Sequence, residues 1–261
     1  MSNFKDLAIK DVYRTGFDDL YNDFYIKLLS NSIRYDRAVG YFSAQILIDS
    51  MKGLSRLLRS KGRIRLVIGH PLTDEEFDAV KRGSSLKDYS SALAEQLLQI
   101  VEDGAESVRL QVISMLIATG CLEVRFAIRR AGMYYEKIGV FHDADGNRVV
   151  FQGSANETPH GMLAKLNAES FSVYKSWEEN IFPRYGAQYI DGFENLWVNE
   201  QPDTITLELP SSAYEKIARV HSGYLANLNL DLFVDMEDEL EALRERRQLN
   251  KPTIPKYLGE H

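Results

Sequence analysis

The chain has 261 residues, of which 44% are hydrophobic and 26% are charged. This composition is typical of a globular protein and excludes collagen, a wholly disordered chain and a small domain stapled by disulfides. The single cysteine, Cys121, cannot form an internal disulfide, and the first residues (MSNFKDLAIKD) lack the apolar core of a secretory signal, so we expect a cytoplasmic protein. The net charge of −7 argues, as an average, against a partner as anionic as nucleic acid.

The charge is unevenly distributed along the chain. Residues 33–65 contain eight basic and two acidic residues, a net charge of +6. Residues 231–245 contain seven acidic residues and one arginine, a net charge of −6. Both runs fit solvated helix faces, but their segregation means that the overall acidity does not exclude nucleic acid.

A membrane-spanning segment is not expected. The longest mostly apolar stretch, 110–122, is interrupted by Gln111, Ser114 and Thr119. It is therefore shorter and more polar than the roughly twenty apolar residues that a bilayer requires.

The N-terminal third predicts alternating helices and strands. Helical spacing of apolar residues covers 18–29 and 44–58, and runs rich in β-branched and aromatic residues cover 33–42 and 63–68. Residues 73–76 (TDEE) have the spacing of a capping box and predict the start of another helix.

The middle of the chain predicts two helices and then mostly strands. Residues 82–89 are polar and turn-rich, and the sequence Asp-Ala-Asp-Gly-Asn at 143–147 is a strong hairpin turn. The predicted elements are helices 91–101 and 106–119, strands 122–128, 134–141, 149–151 and 169–174, and a helix at 182–197.

The character of the chain changes after Pro202. An edge strand is predicted at 204–209, a weak helix at 213–226 and a highly charged helix at 236–247, followed by a tail with two prolines. We therefore predict a domain at 1–200 and a charged helical extension with a tail at 201–261. No internal repeat is present.

The segment 134–157 (YYEKIGVFHDADGNRVVFQGSANE) is the most informative for chemistry. Tyr135 and Lys137 are two apart, so on a strand they share a face, and the hairpin returns the chain to Ser154 and Asn156. One cation and neutral donors, with backbone amides freed by Gly153, fit a cradle for a phosphate group. The alternative interpretation is an exposed lysine next to an ordinary turn.

The spacing from Lys137 to Gly-Ser-Ala-Asn at 153–156 resembles the signature of the phospholipase D superfamily, which is His-x-Lys, an acid, then Gly-Ser-x-Asn. With the block 13–43, it resembles more narrowly the nuclease-like domain found ahead of superfamily 2 helicases and in restriction and phage-defence proteins. The resemblance covers about 13–197.

The resemblance implies an α/β fold, an α/β/α sandwich with a mixed central sheet, here with a helical C-terminal extension. It implies a metal-independent phosphodiesterase without cofactors, in which one motif histidine attacks phosphorus and a second protonates the leaving oxygen. Since this chain has at most one such motif, the resemblance implies a homodimer that acts on DNA, with a helicase or another defence protein as a possible partner.

The site residues follow from matching the motif. Lys137, Ser154 and Asn156 match directly, Asp143 roughly matches the intervening acid, and Glu169 matches a later polar position. Tyr135 stands where the family has histidine. A phenol with a pKa near 10 is a poor base at neutral pH, so hydrolysis should be lost or severely slowed. Natural degeneration and an introduced inactivating change both fit this tyrosine.

Other side chains are candidates for the same site. His142 should face away from Tyr135, His160 could approach from its loop, and His70, His221 and His261 lie in no motif. No group of residues has the spacing of metal ligands, and Cys121 is interpreted as a small buried side chain. The residues expected to contact nucleic acid are Arg34, Arg37 and Arg125, although Asp36 and Arg37 could instead form an internal ion pair. The tyrosines Tyr13, Tyr25, Tyr35 and Tyr41 are interpreted as core or interface residues first and base-stacking residues second.

Three functions fit these patterns. The first is a DNA endonuclease-type phosphodiesterase domain with reduced or lost activity. The second is an inactive DNA- or protein-binding module of the same fold that regulates a partner, with 236–247 as a docking or masking helix. The third, a phospholipase, is disfavoured because no membrane anchor is evident.

Overall fold

The structure is a computed structural model that describes residues 2–43, 45–70, 115–117, 119–130, 132–156, 158, 167–209, 211 and 215. Nine strands occur in these ranges: β1 (Val12–Arg14), β2 (Arg34–Val39), β3 (Arg63–His70), β4 (Leu122–Arg129), β5 (Gly132–Met133), β6 (Ile138–His142), β7 (Arg148–Gly153), β8 (Ser170–Lys175) and β9 (Thr204–Glu208). They form one sheet in the order β1-β8-β7-β6-β2-β3-β4-β5, and β9 pairs with β4.

The helices of the described ranges are short near the N-terminus. A 3-10 turn covers Phe4–Asp6, and a π-helical segment, Leu20–Ile26, continues into α1 (Lys27–Leu29). Then follow α2 (Gln45–Asp49), α3 (Met51–Arg59) and, after the strands, α4 (Gly186–Trp197). None of the helices in this part of the chain is long and apolar enough to cross a membrane.

The sheet is mixed because two kinds of connection build it. β2, β3 and β4 are parallel neighbours, whereas β6, β7 and β8 form an antiparallel meander. The predicted turn at 143–147 is confirmed as the β6–β7 hairpin, in which Asp143 N donates to Asn147 O and Gly146 has a φ of +82°. Gly146 thus supplies the left-handed conformation that the turn requires.

Helices cover both faces of the sheet. The larger core lies on one face, where Phe24, Leu28 and Leu54 pack with strand residues such as Phe141 and Phe151. On the other face α4 packs on the sheet through residues that alternate with those, including Ala38 and Val140 on the strands and Ile190, Phe193 and Trp197 on the helix. The α/β/α sandwich is therefore confirmed. Alternation of side chains along each strand divides the two cores.

One edge of the sheet collects the chain segments that matter for the site. β1, β2, β3, β4 and β7 all end there, and β6 and β8 begin there. We call it the carboxyl edge. The Tyr135–Lys137 and Gly153–Asn156 segments both reach it, although they are far apart in sequence.

The structure differs from the predicted elements in two places near the site and the domain boundary. The strand predicted at 134–141 begins only at Ile138, because the carbonyl of Tyr134 lies against Gly40 and Gly69 at the ends of β2 and β3. β9 pairs with β4, so the sheet domain extends beyond the predicted boundary at residue 200.

Several predicted elements lie wholly or mostly outside the described residues. They are the helices opening at 73–76 and at 91–101, 106–119, 213–226 and 236–247. The predicted helical extension therefore stays a prediction.

Candidate functional site

Lys137 lies at the carboxyl edge, immediately before β6. Its ammonium donates to the carbonyl oxygen of Tyr135 at 2.6 Å and lies 4.9 Å from the centroid of the Tyr135 ring. Burial and the charge of Arg37 lower the pKa of Lys137, and the charge of Glu169 acts in the opposite direction. The lysine is thus a partly buried cation with a second cation and a carboxylate close by.

Ser154 and Glu169 meet across the β7–β8 pair. The Ser154 hydroxyl donates to the Glu169 carboxylate and in turn accepts from the backbone N–H of Ser170 at 3.1 Å. Thr15, at the end of β1, fixes the Glu169 backbone, because its Oγ1 accepts from Glu169 N at 3.0 Å. Ser154 and Glu169 are therefore bonded to each other, and the charge of the same glutamate acts on Lys137.

Asn156, two residues after Ser154, bonds to the segment that follows β2. Its Oδ1 accepts from the backbone N–H of Tyr41 at 3.2 Å. The Tyr41 and Tyr135 hydroxyls are 3.1 Å apart, and their rings meet edge-on at 76°. The hydrogen bond with Tyr41 raises the pKa of Tyr135.

Arg37 supports the loop 153–156 from the core side of the sheet. Its side chain is fully buried, and Nη2 donates to the carbonyl oxygen of Ala155 at 2.6 Å. The guanidinium also lies 4.8 Å from the centroid of the Phe151 ring. Because Ala155 lies between Ser154 and Asn156, this contact fixes the loop that carries both side chains.

Gly153 has a different role from the one predicted. A Cβ at this position would lie 2.2 Å from the carbonyl oxygen of Ser170 and 2.5 Å from Cα of Phe171. The glycine therefore allows β7 and β8 to approach closely just before Ser154. Without that approach the Ser154 hydroxyl could not reach Glu169.

Asp143 does not join this group, which corrects the prediction that it contributes to catalysis. It lies at the opposite end of β6 and is 3% exposed. Its carboxylate accepts from the backbone N–H groups of Phe4, Asp145 and Asn147 at 2.8–3.0 Å. These contacts close the hairpin and attach the N-terminal turn to it, so the acid is structural.

Arg34 also lies away from the cradle, in an ion-pair network on the α4 face. Arg34 and Arg65 both bind Asp36 on β2 and Glu194 on α4, at 2.6–2.8 Å. His142 Nε2 lies 2.8 Å from the Asp36 carboxylate. Asp36 thus pairs with these residues and not with Arg37, whose side chain faces the other core.

Arg125 is likewise engaged inside the fold. Its guanidinium lies 4.0 Å from the centroid of the Trp197 ring, donates to the Trp197 carbonyl and pairs with Glu208 at 2.6 Å. The guanidinium groups of Arg34, Arg37 and Arg125 therefore bind other parts of the chain, and their contact with a nucleic acid stays a prediction.

The remaining histidines and the cysteine do not complete the group. His142 is in the Asp36 network, His70 ends β3, and His160, His221 and His261 lie outside the described residues. Within the described ranges no three His, Cys, Asp or Glu side chains are grouped as metal ligands would be. Cys121 is buried, and burial raises the pKa of its thiol to about 12.

Two side chains have roles at this edge that the sequence interpretation does not assign to them. Tyr41 was interpreted with three other tyrosines, but those three are at most 2% exposed, whereas Tyr41 is 51% exposed and bonded to Tyr135. Arg37 supports the loop through a contact 118 positions away in sequence. The sequence places Tyr41 inside the predicted strand 33–42, whereas the observed strand β2 ends at Val39 and leaves Tyr41 beyond the sheet.

No family model and no curated protein matches the chain. Several solved structures are similar to it. NucT from Helicobacter pylori is 13% identical over 75% of this chain and 97% of that one, with a TM-score of 0.41. Nuc from Salmonella typhimurium, a phospholipase D family member, is 12% identical over 70% and 88%, with a TM-score of 0.39. Phosphatidylserine synthase from Haemophilus influenzae is 16% identical over 79% and 44%, with a TM-score of 0.39.

Proposed function

We propose that this chain is a nuclease-type domain of the phospholipase D superfamily that binds phosphodiesters of DNA at the carboxyl edge. The observation that carries the proposal is that Lys137, Ser154 and Asn156 lie at the same edge of the sheet, where they bond to Tyr135, Glu169 and Tyr41 respectively. These segments come from three strand ends and match the superfamily motif in order and spacing.

Each residue has a role in the proposed site. The Lys137 ammonium neutralises a phosphoryl oxygen, and the Asn156 amide and Ser154 hydroxyl supply hydrogen bonds to the same group. Glu169 orients the serine. Tyr135 occupies the position from which a side chain would attack phosphorus.

A complete site of this type needs a second copy of the chain. The sequence contains no His-x-Lys motif and no internal repeat. We therefore propose a two-fold homodimer in which the carboxyl edges of two protomers face each other and each supplies one half of the site. A cytoplasmic helicase, restriction or phage-defence system is the proposed setting.

A specific observation favours a second candidate, an inactive DNA-binding module of the same fold. The Tyr135 hydroxyl lies 3.1 Å from the Tyr41 hydroxyl, and a Tyr135 that donates in this bond holds its proton more tightly, which raises its pKa and lowers the fraction of phenolate available as a nucleophile. The cradle itself would be unaffected, so binding without cleavage is expected of the native chain.

The experiment compares the native chain with Tyr135→His on labelled single- and double-stranded DNA in EDTA. We expect cleavage by the variant alone, since an imidazole with a pKa near 6.5 can attack phosphorus and carry a proton at neutral pH. Cleavage by the native chain would instead establish a tyrosine mechanism.

Two further variants control this test. Adding Lys137→Ala to Tyr135→His should abolish cleavage, and placing histidine at another exposed tyrosine, Tyr185→His, should produce none. An absence of both cleavage and DNA binding in all variants would contradict the proposal.

A further inference from the structure

Exposed aromatic rings are concentrated at the carboxyl edge. Of the four aromatic side chains that are exposed in the described part of the chain, Phe17, Tyr41 and Tyr135 lie at this edge, and Tyr185 lies elsewhere. Their exposed fractions are 85%, 51% and 55%. Single exposed rings are common on protein surfaces, whereas their concentration at one edge is typical of an interaction surface.

The three rings lie on both sides of the phosphate cradle. Phe17 follows β1, where Gly16 has a φ of +87° and turns the chain so that the ring projects into solvent. Tyr41 follows β2, four strands away in the sheet order. At the usual spacing between strands the two positions are about 19 Å apart, and the cradle strands β8, β7 and β6 lie between them.

Basic side chains also lie along the carboxyl edge. Arg14 at the end of β1 and Arg129 at the end of β4 are exposed, and Lys137 lies between these two strands. The Lys137 ammonium is also 4.9 Å from the Tyr135 ring centroid, so a cation for a phosphate and a ring for a base are neighbours. Exposed rings beside basic side chains are the features that bind unpaired nucleic acid.

We propose that the carboxyl edge binds single-stranded nucleic acid, with bases stacked on Phe17 and on the Tyr41–Tyr135 pair and the connecting backbone in the cradle. The inference rests on the proposed function and names its substrate class. A duplex keeps its base faces inside its own stack, so the exposed rings would find no partner there.

The test measures fluorescence anisotropy with three labelled probes: an oligothymidylate of about 15 nucleotides, an abasic oligonucleotide of the same length and a hairpin duplex. The abasic probe keeps the phosphates and removes the bases. We expect the native chain to bind the oligothymidylate most tightly. Phe17→Ala and Tyr41→Ala should each weaken that binding about tenfold and leave the abasic probe unchanged.

Matched variants separate stacking from other effects. Tyr41→Phe keeps the ring and removes the hydroxyl, so it should bind the oligothymidylate as the native chain does. Tyr185→Ala removes an exposed ring from another surface and should change nothing. Tm measured for each variant shows whether it remains folded.

Four results would overturn the inference. They are equal affinity for the oligothymidylate and the abasic probe, a loss of binding in Tyr185→Ala, tighter binding to anionic phospholipid vesicles than to the oligothymidylate, or a loss of self-association in Phe17→Ala with unchanged binding. Lys137→Ala distinguishes a failure of the stacking proposal from a failure of the proposed function. If it weakens all probes while the aromatic variants have no effect, the cradle stands and the stacking surface does not.

Discussion

Arg37 connects the core to the candidate site through a single side chain. It is fully buried, packs on Phe151 and donates to the Ala155 carbonyl between Ser154 and Asn156. A buried charge of this kind costs folding energy unless it is well bonded. This contact explains how the loop that carries Ser154 and Asn156 is held against the core.

We predict that Arg37→Met lowers the free energy of unfolding by about 2 kcal/mol, because the Ala155 carbonyl loses its donor. The pKa of Lys137 should rise, because one cause of its depression is removed. Urea unfolding and an NMR titration of the lysine ammonium measure the two effects. Arg63→Met, at an exposed position on the neighbouring strand, should change stability by less than about 0.5 kcal/mol. An unchanged Lys137 pKa in Arg37→Met would contradict the account.

The contact between β7 and β8 determines whether Ser154 reaches Glu169. Gly153→Ala places a methyl group against the backbone of Ser170 and Phe171, which cannot move away without separating the strands. We expect a loss of about 2 kcal/mol in stability and weaker phosphate binding. In α4, Gly192 has open space around its Cα, so Gly192→Ala should stabilise the protein by about 0.5 kcal/mol. Thermal unfolding of the two variants should move in opposite directions, and parallel shifts would contradict the packing described.

The Asp36 network attaches α4 to the sheet and makes stability depend on pH. Burial alone would raise the pKa of the Asp36 carboxyl, but hydrogen bonds from Arg65, His142 and Arg34 outweigh it and hold the pKa well below 3.8. Because the carboxyl of the unfolded chain has the higher pKa, the stabilisation is present at neutral pH and is lost as the pH falls below about 4.

We therefore predict that Asp36→Asn lowers the free energy of unfolding by about 3 kcal/mol at pH 7, since Arg65 loses a buried partner. The variant should also lose part of the decrease in stability that the native chain shows as the pH falls below about 4. Chemical denaturation across this range measures both. The exposed Asp191 on α4 provides the control, and Asp191→Asn should retain the native pH dependence. An Asp36→Asn curve parallel to the native curve would refute the assignment.

Over the whole molecule, the positive segment 33–65 is divided between different surroundings. Arg34, Arg37 and Arg65 bind other parts of the protein, whereas Arg56 and Arg59 line a cavity of about 380 Å³ away from the carboxyl edge.

The acidic segment 231–245 lies outside the described residues. If it masks DNA-binding surface, deleting 231–261 should tighten DNA binding and steepen its dependence on salt. Unchanged affinity at low salt would show that the segment is only a solvated tail.

The sequence predicted the local features of this fold better than its long-range contacts. Periodicity and the 143–147 turn located the strands and the β6–β7 hairpin, and the motif located Lys137, Ser154 and Asn156. The partners of Asp36, Arg37 and Arg125 depend on which strands become neighbours, which local patterns do not specify. The chain also leaves the strand pattern before Ile138 because Gly40, just after β2, and Gly69, on β3, leave room for the Tyr134 carbonyl.

The most direct test of the central claim is to locate phosphodiester binding on the molecule. NMR chemical-shift mapping of the isotope-labelled protein, titrated with the dinucleotide thymidylyl-thymidine, reports every backbone amide at once. We predict that the largest shifts occur at Lys137, Ser154 and Asn156 and that Lys137→Ala removes them. Shifts concentrated instead at Arg56 and Arg59, and unaffected by Lys137→Ala, would contradict the assignment of the carboxyl edge as the phosphate site.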